Sequence, residues 1–194
     1  EVVGIDAMFT DADVIAERQG EHVDLAFRLS GSHAWDFADQ ADDDEAFLVS
    51  ALHLEATAPE IDTRLRVGRQ SLTSAGVLGR FDGAVLGYSP WDWLSVSTVF
   101  GYALDSSFDA FSDDRPFYGL SGELTFAGGK LAFAPYLIEQ EANGFTDRRA
   151  VGLETRWLDE RFTAFSLVDY DVYFDELNNV YLYANGTVTD GTRV

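Results

Sequence analysis

The sequence contains no cysteine. Disulfides, zinc–thiolate sites and thiol nucleophiles are therefore excluded. Of 13 basic residues only Lys130 is a lysine; the rest are arginine. Set against 34 acidic residues, they leave a formal net charge of -21. A nucleic-acid partner is not expected, because phosphate binding needs a basic surface. No apolar run approaches the ~18 residues of a membrane helix, which excludes a helical membrane protein. No signal peptide is visible. The chain begins Glu1-Val2-Val3 with no methionine, which implies a processed chain or a fragment.

What is present is alternation. Residues 94–104 put Leu94, Val96, Thr98, Phe100, Tyr102 and Leu104 on one face of a strand. Ser95, Ser97, Val99, Gly101 and Ala103 fall on the other, since successive side chains point to opposite faces. A tilted strand of ~9–11 residues crosses a bilayer, and this one has that length. The same pattern predicts strands over 22–35, 46–58, 63–70, 79–89, 117–126, 131–141, 149–157, 162–173 and 179–188. Residues 1–20 are ambiguous; Val3, Ile5, Ala7 and Phe9 suggest one more strand. Pro135 removes a ladder donor and implies a bulge or an edge. In 162–173 the apolar residues Phe162, Phe165, Leu167, Val168 and Tyr170 do not share a face, and a bulge would reconcile them.

The connections alternate in length. Short ones fall at 58–61, 89–92, 127–130 and 158–161. Longer, mostly acidic ones fall at 36–45, 71–78, 105–116 and 142–148, with 174–178 as a short exception. In a meander every second connection lies at the same end, so this parity is that of a membrane barrel. The fold class predicted is all-β, an antiparallel up-and-down meander of about ten strands. It forms a transmembrane β-barrel or part of one, with residues 1–194 as a single domain incomplete at both ends.

A soluble sandwich also has alternating strands, with Lys, Glu and Thr on its outer face. Here the smaller face is Gly, Ala and Ser, and the other is large and apolar. That arrangement suits a lipid-facing exterior around a lumen. Trp91, Trp93 and Trp157 fall at the short-turn end and Trp35 at the loop end. These are the expected membrane-interface aromatics. A soluble extracellular β-sandwich binding carbohydrate is the first alternative. A barrel acting as an anchor or lipid-modifying enzyme is the second.

Residues 64–88 carry Gly68-Arg69-Gln70 and, after a connection, Arg80-Phe81-Asp82-Gly83. This stretch resembles a hairpin of Gram-negative outer-membrane porins and alginate-export-type channels. The closing 167–173 run is similar in character. The resemblance implies a bacterial outer-membrane channel, in contact with outer-membrane lipid and lipopolysaccharide. Such barrels commonly have about 16–18 strands, so the chain is expected to be a segment of a longer barrel. They usually finish on an aromatic residue, whereas this sequence finishes Thr192-Arg193-Val194.

The function expected is passive passage of small hydrophilic or anionic solutes through a charged lumen. Arg64, Arg66, Arg80 and Arg156, with Asp82, Glu123 and Glu154, are the candidate pore-lining residues. Opposed charges across a pore set a transverse field, although mutual pairing that holds the wall together is an equal reading. Residues 71–78 either fold inward as a constriction or form a surface loop. The acidic runs 36–45 and 105–114 match no calcium-loop spacing and read as solvated charge. No nucleophile elbow, metal-binding histidine pair or phosphate loop is present. No catalytic residue, metal or cofactor is therefore expected.

Overall fold

The computed structural model describes residues 7–36, 45–77, 79–106, 111–189 and 192–193. Eleven long strands follow one another: β1 (Ala7–Arg18), β2 (Asp24–Asp36), β3 (Glu45–Ala58), β4 (Thr63–Leu72), β5 (Gly79–Trp91), β6 (Leu94–Leu104), β7 (Pro116–Phe126), β8 (Leu131–Ala142), β9 (Phe145–Leu158), β10 (Phe162–Asp171) and β11 (Glu176–Thr189). A two-residue strand, β12 (Thr192–Arg193), completes them. All lie in one antiparallel sheet in sequence order. Each strand pairs only with its chain neighbours, so among the described residues there is no second sheet for a sandwich. Among the described residues β1 has one neighbour, β2, and the sheet does not close on itself.

Register assigns the two faces. On the outer face Leu65, Leu86, Thr98, Leu120, Leu137 and Val151 stand side by side across six strands. Most are solvent-exposed in isolation, Leu120 and Leu137 by nearly half their surface. An apolar row this wide on a water-facing surface would be unusual for a soluble monomer. The outer row of β6 runs from Leu94 to Leu104. Ten residue steps cover about 34 Å along a strand. At the ~40° tilt usual in such barrels that gives a height near the ~25 Å of a lipid-facing band.

The inner face carries Gly, Ser, Ala and charge, with one apolar cluster. Phe81, Val99, Phe117, Tyr136, Ile138 and Ala150 are buried there, and Val77 of the β4–β5 connection closes over them. Phe81 and Phe117 meet edge to face at 5.1 Å, a geometry that suits the ring quadrupoles.

Several local expectations change. The first strand runs over Ala7–Arg18. Its register puts Phe9 on the inner face with Asp11 and Asp13, while Met8, Ala12 and Val14 face outward. Val3 and Ile5 lie outside the described residues. The 142–148 connection is no long loop: Asn143 and Gly144 form a two-residue turn with φ of 52° and 78°. Positive φ at both central positions matches the twist of the flanking strands. Pro135 sits in an interior strand without a bulge. The β7–β8 ladder skips Gly122 and Glu123 and resumes in the same register, while β8–β9 pairing continues through Pro135 and Leu153. In β10 the irregularity belongs to its partner: Asn178 of β11 is the unpaired, bulged residue. Phe165 and Leu167 point inward with Asp169 and Asp171, and Phe162, Val168 and Tyr170 outward.

Candidate functional site

The resemblance motif forms the base of the site. Its residues are direct cross-strand partners: Gly68 with Gly83, Arg69 with Asp82, Gln70 with Phe81, and Ser71 with Arg80. Arg69 Nε and Nη2 each donate to one Asp82 carboxylate oxygen at 2.8 Å. The matched fork fixes register as well as energy. Gln70 is buried on the other face over Phe81, its Nε2 donating to the Gly83 carbonyl at 3.3 Å. Gly68 has a φ of 124°, and a β-carbon there would lie 2.9 Å from the His53 Cα. Only glycine fits such a position. The motif is thus a latch between β4 and β5.

Above the latch, residues 73–77 fold onto the inner face. The Ala75 N–H donates to Glu154 Oε1 at 2.8 Å, and Arg148 Nη1 donates to the Gly76 carbonyl at 2.9 Å. Followed through the register, Glu154 lies level with Ala134, Glu123 and Ser95, at the far end of β5 from this connection. On a flat sheet that point would lie on the order of 35–40 Å away. Ala75 is four residues from Gly79, a reach of about 14 Å. The sheet must therefore curl around its inner face.

A buried polar network holds the loop's landing site. Asp169 accepts from Tyr136 Oη and Arg148 Nη2, each at 2.5 Å, and from Asn178 Nδ2 at 2.9 Å. The Tyr136 ring lies between two glycines. A β-carbon on Gly76 would sit 2.6 Å from its Cε2, and one on Gly152 would overlap the ring itself. Asp171, also buried, accepts from the backbone N–H groups of Tyr173 and Phe174 at 2.8 and 3.1 Å, shaping the β10–β11 turn.

The inner face holds two cavities of similar size, the first of them lined in part by Thr73 and Gly76 of the loop. One, of about 480 Å³, lies towards β9–β11 and includes Tyr136, Arg148, Glu154, Phe165, Asp169 and Glu176 in its walls. The other, of about 470 Å³, reaches the opposite end of the sheet at Pro59, Asp62 and Ser89, and holds Arg64 and Arg66. Arg66 pairs with Glu55 at 2.6 Å, and Arg64 approaches the same carboxylate at 3.6 Å.

The expected lining residues divide. Arg64, Arg66, Glu123, Glu154 and Arg156 all project from the inner face. Arg156 and Glu123 approach to 3.5 Å. Arg80 and Asp82 do not share that face: register aligns them with Leu86 and Tyr88 on the outer side. Arg148 and Asp169, the centre of the network, were not among the candidates. Their signal was an arginine and an aspartate at the interior parity of β9 and β10. Trp91 and Trp93 stack with centroids 5.3 Å apart at the turn end, and Trp157 stands opposite Leu131 there. Trp35 lies at the other end, its ring 3.9 Å from that of His33. Beyond the turns, Lys130 Nζ donates to Asp159 at 3.1 Å. This contact, aided by the Glu160 N–H, holds the Asp159 carboxyl below its ordinary value of 3.8. Among the described residues no group of three or more His, Asp or Glu could hold a metal ion. Residues 37–44 and 107–110, within the expected acidic loops, lie outside the described residues.

No family model matches the sequence, and no curated protein matches it. Solved structures do. The outer-membrane porin OccK2 (OpdF) of Pseudomonas aeruginosa matches with a TM-score of 0.53 at 13% identity, over 93% of this chain and 61% of that one. OccK2 in complex with glucuronate matches with a TM-score of 0.48 at 12% identity, over 94% and 62%. The chain thus has the fold of an outer-membrane porin wall and spans about three fifths of the length of that porin chain.

Proposed function

We propose that this chain forms most of the wall of an outer-membrane channel that passes small hydrophilic solutes by diffusion, without a cofactor or catalytic step. The observation that carries this reading is the pinned loop. A curled sheet with an apolar outside and a charged inside is narrowed from within by residues 73–77, which are tied to Arg148 and Glu154. A charged constriction inside a barrel filters solutes by size and sign. Arg64, Arg66, Glu123, Glu154 and Arg156 would line the passage, while Arg80 and Asp82 would lie outside it. Trp35, Trp91, Trp93 and Trp157 would sit at the lipid headgroup level, against outer-membrane lipid and lipopolysaccharide.

The alginate-export side of the resemblance has weaker support. A polyanion would have to pass the carboxylates around Glu154, and like charges at close range repel. The test is conductance of the full-length polypeptide in a planar bilayer. Discrete current steps are expected, and R64E/R66E should shift the reversal potential towards cations relative to wild type. A folded protein that gives no conductance would remove the channel reading and leave a barrel anchor.

A further inference from the structure

Two irregularities frame the cavity beside the loop. On β9, Gln140 pairs with Arg148 and Glu141 with Thr146, which leaves Asp147 bulged. On β11, Asn178 is bulged opposite Asp169. A bulge turns an extra side chain toward a face that strict alternation would deny it. Both bulged residues line this cavity, which at about 480 Å³ has the size of a small-molecule site.

Its charge is not balanced. Arg148 is the cation in the lining, and its guanidinium is already committed to Asp169 and the Gly76 carbonyl. The Asp171 carboxylate is occupied by two backbone N–H groups. Glu154 accepts one N–H from the loop. Asp147 and Glu176 meet no cation among the described residues, and both are exposed to the cavity. Phe165, Leu167 and Phe174 give the wall an apolar part, with the neutral polar side chains of Thr73, Asn178 and Asn179 beside it. Free carboxylates at the rim beside an aromatic and aliphatic floor match a positive head on an apolar body. Aromatic faces add to the attraction for a cation.

We infer that the cleft between residues 73–77 and β9–β11 binds small organic cations, with the charged head at Asp147, Glu154 and Glu176 and the apolar part on Phe165, Leu167 and Phe174. This rests on the channel reading and reverses the anionic preference expected from the sequence.

The test uses the full-length polypeptide, with benzylammonium chloride and sodium benzoate as probes of equal shape and opposite charge. Equilibrium binding in detergent and current interruption in a planar bilayer are read separately. Benzylammonium should bind and interrupt the current at concentrations at least tenfold below those of benzoate. The D147N/E176Q variant, altered at two exposed positions, should weaken benzylammonium at least tenfold and leave benzoate unchanged or improved. Benzoate binding as tightly as benzylammonium overturns the inference, as does benzylammonium binding that D147N/E176Q leaves untouched. Conductance without selective binding removes the cation site and keeps the channel. Selective binding without conductance removes the channel and keeps the site. Retained strand content by circular dichroism excludes misfolding of the variant.

Discussion

Removing the Arg148 side chain should open the constriction. Arg148 donates to the Gly76 carbonyl on the loop and to the buried Asp169 carboxylate beneath it. A hydrogen bond to a charged group contributes about 1.5–3 kcal/mol. If the Gly76 bond alone is lost, the ratio of docked to released loop falls by roughly 13- to 160-fold. The loop keeps one other tether, the Ala75 N–H to Glu154, and the packing of Val77 on the apolar cluster. R148A also leaves Asp169, whose side chain is 3% exposed, with only neutral donors. Breaking a buried pair from one side costs about 3–5 kcal/mol, so the whole wall loses stability as well. The R148A/D169N double variant separates the two effects. It removes the stranded charge and should recover most of the global loss, yet the loop stays released. Amide hydrogen exchange at Ala75 and Val77 reads the loop, and urea unfolding reads the wall. Single-channel conductance should rise in both variants. Slow exchange at Ala75 in R148A, with wild-type conductance, would show that Val77 packing and not Arg148 holds the loop down.

Three further outcomes follow from particular contacts. G152A should cost about 1–3 kcal/mol in urea unfolding, the usual penalty for overpacking. Its β-carbon overlaps the Tyr136 ring, which must swing away from Asp169; unchanged stability would mean the ring has room to move. D82A should cost about 1.5–3 kcal/mol for each charged hydrogen bond lost, because Arg69, whose side chain is 12% exposed, donates to both Asp82 carboxylate oxygens, whereas R69M/D82L should recover most of it because both positions lie on the apolar outer face. For Asp159, whose carboxyl is held low by Lys130, the contact contributes above its ordinary value of 3.8 and is lost as the pH falls through the lowered value. K130A should therefore weaken the wall slightly at neutral pH and match wild type in acid; an equal difference at both would assign the effect to packing.

Much of the wall was legible because a sheet with one apolar and one small or charged face imposes a two-residue period. The rows from Leu94 to Leu104 and from Leu65 to Val151 follow that period without exception in facing direction. The placement of Arg80 and Asp82 was countable too, since both share parity with Leu86 and Tyr88 on one unbroken strand. Alternation failed where the inner face is covered. Phe165 and Leu167 face inward because the loop and its cluster make that part of the lumen apolar, so β10 shows large residues on both sides. Asn143-Gly144 carried a hairpin signal, but the same dipeptide recurs as Asn185-Gly186 inside β11, so the dipeptide alone did not decide the turn. The inward loop had its own mark. Leu72, Ala75 and Val77 make it apolar, whereas the 36–45 and 105–116 connections are acidic.

The position of the constriction follows from the latch. Arg69–Asp82 and Gln70–Phe81 lock β4 to β5 on opposite faces of the sheet, just before their pairing ends at Leu72 and Gly79. The outer pair fixes register, and the inner pair supplies Phe81 as the floor on which Val77 rests. A one-residue slip between β4 and β5 would exchange the faces of every side chain, placing Phe81 outside and Asp82 in the lumen. The loop would then lose its floor while Arg148 and Glu154 kept their places on β9. On the proposed function, the motif that resembles porins acts on the passage without touching a solute. It sets where residues 73–77 begin, and β9 sets where they land. On the proposed reading, a solute passes between the arginines at Arg64 and Arg66 on one side of the loop and the carboxylates around Glu154 on the other. The separation of those two charges is fixed by strand register rather than by loop sequence. Substitutions within 73–77 should accordingly tune the width of the passage, and those at Arg64, Arg66 or Glu154 its sign.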